Sequence, residues 1–318
     1  MSTTLAADLG VRRLLTAAGQ APSVLNTQPW RFEVVHREFV ELLADPDRRL
    51  RVSDPRGRSL HVSCGAALFN LRLAVSTSGR RPVVWLLPDP EEEPELLAAV
   101  RAGDRRPATA EQRELYELLP VRRTNRLPFT GDRVPAAVWD ELRTAASREG
   151  ATLVRLDRRG VAETLDYAAI AEEELAHDHD YQAELRAWTM PGARFDGMPD
   201  HVQGPRPLRD PAPVRDFGRH AYAARFEERP QLAVLTTPGD RPLDWLRAGQ
   251  ALQRVLLLAT LRGLSASFLN QPLDLRDMRA RRDPHHRRGH PQMIIRLGYG
   301  APVGRSPRRP ATELERHA

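Results

Sequence analysis

An α+β architecture with an internal duplication is the fold class this sequence predicts. Three observations lead there. Helical and strand-like segments are mixed without the regular strand–helix–strand beat of a parallel sheet. Residues 64–79 read CGAALFNLRLAVSTSG and residues 248–263 read AGQALQRVLLLATLRG, so Gly65/Gly249, Ala67/Ala251, Leu68/Leu252, Leu73/Leu257 and Gly79/Gly263 coincide at an offset of 184. A weaker pair, starting at Leu14 and Leu142, matches Thr16/Thr144, Ala17/Ala145 and Ala18/Ala146 at an offset of 128. The offsets differ by 56, which predicts an insertion of that size in the second half, between about residues 158 and 230.

The elements follow in order. Apolar spacing predicts a helix over 5–19, and an alternating run predicts a hairpin over 30–44. A helix over 61–77 is closed by Gly79 and followed by a strand over 82–88. Helices over 109–119 and 135–147, a strand over 151–157 and a long helix over 160–188 come next. The stretch WTMPGARFDGMPDHVQGPRPLRDPAPVRDF is crowded with Pro, Gly and Asp and has no clean period. A long irregular segment in a compact protein is usually a functional lid or disordered. Trp188, Met190, Phe195 and Met198 give it apolar surface to bury, which favours a lid. Strands over 230–237, 265–270 and 291–299 flank a helix over 243–262 that Gly263 closes. The two half-repeats are expected at 1–108 and 109–318.

Composition excludes several classes. The chain has 318 residues, 41% of them hydrophobic, enough for a full core. No apolar run approaches the length of a membrane span, and the first residues lack a charged-then-apolar secretory pattern. Cys64 is the only cysteine, so no disulfide can form within the chain, and a reducing cytoplasm is the expected location. All 48 basic residues are arginine, and the net charge is +6. These arginines are interleaved with acids, as in EEEPELLAAVRAGDRR, and no nucleic-acid motif accompanies them, so nucleic-acid binding is not expected.

Three stretches carry candidate chemistry. AGQAPSVLNTQPWRF, residues 18–32, places Pro22, Ser23, Asn26, Gln28 and Pro29 between an apolar helix and an apolar strand. VRRTNRLPFTGDRVP, residues 121–135, gathers Arg122, Arg123 and Arg126 around Thr124, a donor set suited to a phosphate; alone, it also reads as a solvated basic turn. RLGYGAPVGRSPRRP, residues 296–310, sets Arg308 and Arg309 in a proline-fixed turn; alone, it reads as a basic terminus. The histidines at 177 and 179, and those at 285, 286 and 290, read as surface turns rather than a metal site. Cys64 and Trp30 read as core residues, and no glycine fingerprint of a dinucleotide-binding fold follows any strand.

Together the APSVLNTQPWRF run, the RRTNR run followed by PFTGDRVP, the two Gly-x-Ala-Leu helices and the RLGYG…SPRRP tail resemble the FMN-dependent nitroreductase superfamily. The likeness covers nearly the whole chain and is strongest to its fused, two-repeat Acg-like branch. The resemblance implies a nitroreductase-like fold in which two tandem half-repeats mimic a homodimer, with FMN between them. It implies that Arg122, Thr124 and Arg126 match the phosphate run, with Arg123 among the cofactor-binding residues and Arg126 where a cation near the flavin pyrimidine is expected, and a turn along the flavin from Pro22, Ser23, Asn26 and Gln28. It also implies a C-terminal phosphate contact from Arg308 or Arg309, and backbone N–H groups at Leu269 and Asn270 near flavin N5. No side-chain catalytic residue and no metal are implied.

One departure is informative. The first half has no arginine run at family spacing, since Arg12 and Arg13 sit too close to Ala21. The second half has REGATLVRL in place of the Pro-Ser-x-x-Asn turn. One FMN per chain and a monomeric pseudo-dimer are therefore expected. The implied activity is NAD(P)H-dependent hydride transfer through the flavin to a nitroaromatic or quinone, a small aromatic acceptor. The alternatives are a flavin-sequestering or storage protein whose lid closes the site, and a pathway-specific flavin oxidase or dehydrogenase.

Overall fold

Residues 10–36, 38–189, 194–208, 211–218, 220–279 and 289–316 are described by the computed structural model. The chain begins with α1 (Val11–Gly19), a 3-10 turn (Val24–Asn26), β1 (Trp30–Val35), β2 (Phe39–Ala44), α2 (Arg58–Thr77), β3 (Arg80–Leu86), β4 (Leu96–Arg105) and α3 (Ala110–Glu117). It continues with α4 (Ala136–Ser147), β5 (Thr152–Arg155), α5 (Arg158–His177), α6 (His179–Thr189), β6 (Arg206–Pro207) and β7 (Ala223–Ala224). The last elements are β8 (Gln231–Thr237), α7 (Pro242–Leu261), β9 (Ser265–Phe268), α8 (Gln271–Met278), β10 (His290–Gly298) and α9 (Ala311–Leu314).

Two four-stranded antiparallel sheets form, ordered β1-β2-β4-β3 and β5-β8-β10-β9. The rule is the same in both. Two strands precede a twenty-residue helix, two follow it, and the later strand of each pair lies inside. The duplication read from α2 and α7 thus extends to sheet topology. β1 and β2 are joined by residues 36–38, whereas residues 156–230 separate β5 from β8. The insertion occupies the place of a hairpin turn.

The duplicated glycines explain themselves at the crossing of α2 and α7. A Cβ on Gly65 would lie 2.2 Å from the Leu246 carbonyl oxygen, and one on Gly249 would lie 2.0 Å from that of Val62. Val62 and Leu246 are themselves 184 apart, so the contact is self-complementary, as at a two-fold interface. Two helix backbones can approach this closely only without side chains between them. The Gln253 amide donates to Asn70 Oδ1 at 2.7 Å, and around the crossing Arg254 lies over the Phe69 ring. Leu246 and Leu257 enter the first-half core, and Val62 enters the second.

The C-terminal segment crosses back to the first half. Arg316 N–H donates to the Phe32 carbonyl, and Leu314 is fully buried against α1, within the first core. The sequence expectations need five corrections. β4, the inner strand between β2 and β3, was not foreseen, because LLAAV favours helix intrinsically and only its position in the sheet makes it a strand. The helix expected over 160–188 is two helices, broken at Asp178, whose carboxylate accepts from the Tyr181 N–H and starts α6. The strand expected over 265–270 ends at Phe268, and α8 follows it unforeseen. The insertion, expected to be irregular after residue 188, carries a 3-10 turn (Asp200–Val202) and the short parallel pair β6–β7. Phe195 is 58% exposed rather than buried, whereas Met198 is buried. Residues 5–9, Met190, His285 and His286 lie outside the described residues.

Candidate functional site

The Pro22–Pro29 turn is held open by its own polar groups. Ser23 Oγ accepts the Gln28 N–H at 2.9 Å, and Ser63 Oγ of α2 accepts the Val24 N–H at 3.2 Å. Leu25, Asn26 and Gln28 have φ of 46°, 56° and 49°, the left-handed region. Such a conformation costs a non-glycine residue about 1–2 kcal/mol, and strain of this kind concentrates at functional sites. The turn therefore presents Pro22, Ser23, Val24 and Leu25 to a cavity rather than continuing α1.

Opposite stands the arginine run, fixed along β9. Asn125 N–H donates to the Ala266 carbonyl at 2.8 Å, and the Asn125 amide donates to Ser265 Oγ and the Ala301 carbonyl. Phe129 bridges to Gly300, with its ring 3.6 Å from the Arg296 guanidinium, and Arg296 is paired to Glu227 at 2.6 Å. With Asn125 turned into the sheet, Arg122, Arg123, Thr124 and Arg126 face the turn.

Between them lies a cavity. Val24, Leu25, Val62, Leu252, Phe268 and Met293 give it apolar walls, and Met198 and Phe217 of the insertion roof it. A second space adjoins it, and Pro22, Ser23, Thr124, Arg126 and Met198 line both. This arginine end is lined by Arg122, Arg123, Arg305 and Arg308, and by no carboxylate among the described residues. Arg122 is 3% exposed, and its Nε and Nη1 have no hydrogen-bond partner; Arg308 Nε has none either. Burial, with the neighbouring arginines, lowers Arg122 to about 10 and Arg308 to about 9. The Arg122 and Arg308 guanidiniums are buried there, Arg123 is half-buried and Arg305 is exposed at the rim. These guanidiniums repel one another without an acid between them, so the end suits an anion.

The comparisons with known proteins follow from this geometry. No protein-family model matches the chain. A Mycobacterium tuberculosis protein named "Putative NAD(P)H nitroreductase" is 33% identical, over 96% of this chain and 89% of that protein. A second from that organism, "Putative NAD(P)H nitroreductase acg", is 30% identical over 99% of this chain and 97% of its own length. The chain belongs to the Acg-like nitroreductase family. Among solved structures, the FMN-dependent nitroreductase NfnB from Mycobacterium smegmatis in complex with NADPH has 16% identity and a TM-score of 0.40, covering 65% of this chain and 98% of that one. A nitroreductase with bound FMN from Desulfitobacterium hafniense has 13% identity and a TM-score of 0.40, covering 64% of this chain and 98% of that one.

In this nitroreductase-family chain the structure brings most of the sequence-predicted residues to the joined cavity. Pro22, Ser23, Thr124 and Arg126 line both parts, Asn270 lines the apolar part, and Asn26, Arg122, Arg123 and Arg308 line the arginine end. Gln28, Leu269 and Arg309 do not line it, and Asn26 and Arg126, which do, are also bound to protein. Asn26 donates to the Gly197 and Pro307 carbonyls and accepts from Arg308, so its amide is saturated by protein. Gln28 donates to the Phe195 carbonyl and accepts from the Arg309 N–H, and it does not line the cavity. Arg309 is bound to the Gln28 and Trp30 carbonyls and lies near Asp45. Leu269 is fully buried, and its N–H donates to the Ile294 carbonyl. Arg126 donates to the Val202 carbonyl and lies over Phe217, and burial lowers it to about 10.

Sequence reasoning missed Arg305, Arg215, Ser63 and Asp274. Arg305 was legible, since it lies in the same VGRSPRRP tail as Arg308. Arg215 and Asp274 reach the site from the insertion and from the unforeseen α8, and no local signal marks them. Cys64 is fully buried, with its thiol against the Pro29 carbonyl and its ionisation suppressed by burial, and Trp30 is core. No helix among the described residues is long and apolar enough to cross a membrane.

Proposed function

We propose that the chain binds FMN in the joined cavity and acts as an NAD(P)H-dependent oxidoreductase of nitroreductase type, in a reducing cytoplasm. The observation that carries this reading is the acid-free arginine end beside an apolar-walled space. Arg122, Arg123, Arg305 and Arg308 would hold the phosphate, and the apolar walls with Pro22, Ser23 and Arg126 would hold the ring system. When bound, the flavin supplies two-electron hydride chemistry between NAD(P)H and a nitroaromatic or quinone. The chain's own groups bind and orient, and Met198 and Phe217 line the cavity from the insertion. Cations beside the ring favour its reduced, anionic form.

We further propose that the half-repeats are 1–108 and 109–318, that one FMN binds per chain, and that the chain is a monomer imitating a dimer. Support for a single site lies in the second half. The connection from α4 to β5 spans only residues 148–151, and the Arg247 side chain lies 3.6 Å from where a Gly150 Cβ would stand. A turn like Pro22–Pro29 has no room there.

Anaerobic mixing of the flavin-loaded protein with NADPH and with NADH tests the reading. Rapid bleaching of the flavin by either nucleotide is expected. A yellow protein that dithionite reduces and neither nucleotide reduces would replace this reading with a second one, flavin sequestration. The closed insertion favours that second reading: Glu184 accepts from the Val52 and Ser53 N–H groups and from Ser53 Oγ, and Arg48 pairs with Asp196 at 2.6 Å.

A further inference from the structure

The apolar part of the cavity contains one carboxylate among the described residues, Asp274. It is 4% exposed and sits on the first turn of α8. Arg215 of the insertion donates to Asp274 Oδ2 at 3.2 Å. Arg58 of α2 stands 4.0 Å from Oδ1, but it is committed to Asp277, which its Nε meets at 2.6 Å. Arg276 and Arg56 also face Asp277, and Glu172 of α5 adds a further acid near Asp274. Arg58 is therefore divided among acids, and Asp274 receives the weaker share.

We propose that Asp274 is the acid that gives the reduced acceptor its proton; the assignment rests on the oxidoreductase reading above. A quinone or nitro group reduced by two electrons needs protons as well as hydride, and Asp274 is the one carboxyl lining this cavity among the described residues. The acceptor carbonyl gains hydride that derives from the nicotinamide, leaving an oxyanion. An acceptor O–H bond forms as the Asp274 O–H bond breaks, and the carboxylate then recovers its proton from solvent. Arg215 Nε and Arg58 Nη2 are buried without hydrogen-bond partners, so the carboxylate forms beside spare donors. Burial carries the carboxyl up to about 6 in spite of both arginines, close enough to neutrality for proton donation.

The test uses the flavin-loaded full chain and its Asp274→Asn and Asp274→Glu variants, with two acceptors. A quinone needs protons, whereas ferricyanide takes single electrons and none. Asp274→Asn should slow reoxidation by quinone at least ~100-fold more than it slows nucleotide bleaching or reoxidation by ferricyanide. The quinone rate of the unsubstituted chain should fall as pH rises through the titration of Asp274. That limb should vanish in Asp274→Asn and persist in Asp274→Glu. Infrared difference spectra, with no flavin turning over, should contain a protonated-carboxyl band lost in Asp274→Asn. Unchanged quinone rates and pH profile in Asp274→Asn, or equal losses with both acceptors, would overturn the assignment. An unsubstituted chain that neither nucleotide can reduce would overturn the oxidoreductase reading and Asp274's role with it, and that failure appears before any variant is made.

Discussion

Arg308 and Arg309 are adjacent and do opposite things. Arg309 satisfies the Gln28 and Trp30 carbonyls with Asp45 and Glu313 near it, whereas Arg308, held by Asn26 Oδ1 and the Pro307 carbonyl, has Arg122, Arg123 and Arg305 as its charged neighbours. Arg309→Met should therefore destabilise the protein by about 2 kcal/mol or more, because it strands buried acceptors. Arg308→Met should raise the melting temperature of the flavin-free protein, by removing an uncompensated buried charge, and weaken FMN binding at least ~10-fold. Thermal melts with and without FMN check both. Asp54 gives a pH-dependent case. Its carboxylate accepts the Ser59 and Leu60 N–H groups at the start of α2, yet burial raises it from 3.8 to about 6. Between those values the folded state binds more protons than the unfolded one. Stability relative to Asp54→Asn should thus rise as pH falls from 7 to 4, by up to ~3 kcal/mol, and be lowest above pH 6. Melts of both proteins across that range measure it. The RRTNR and SPRRP arginines were legible because clustered cations declare themselves locally. That Arg308 rather than Arg309 faces the cavity was not, because it depends on which carbonyls the folded turn leaves unsatisfied.

Helix α2 and helix α7 can meet only at Gly65 and Gly249. Alanine at either position gains up to ~1 kcal/mol in helix propensity but must push two backbones apart. Gly65→Ala and Gly249→Ala should each cost a net ~2 kcal/mol or more, read by urea denaturation. A similar alanine at Gly131, which meets no atom within 4 Å, should cost far less. The insertion is latched by α6, where Glu184 takes three hydrogen bonds from Val52 and Ser53. Glu184→Ala should speed hydrogen exchange at the Val52 and Ser53 amides without changing exchange in β2 or β4. Helix boundaries were readable here because apolar spacing and glycine stops are local. β4 was not, since alanine and leucine become strand only where β2 and β3 supply partners on both sides.

The whole molecule reads as a dimer written into one chain, with its symmetry kept in the core and broken at the sites. The offset of 184 marked the two helices as a pair, and the mismatch of 56 predicted the insertion. Neither could place the insertion as a roof, because its contacts with Asn26, Gln28 and Arg48 span well over a hundred residues. The broken symmetry leaves the open turn in one half and the arginine run in the other, which makes a single cofactor position the account's central claim. Titration of the flavin-free chain with FMN, followed by calorimetry and by flavin absorbance after desalting, tests it most directly. The account predicts one FMN per chain, lost on substitution of Arg122 and retained on substitution of Arg12. Two FMN per chain, none, or equal loss from both substitutions would contradict it.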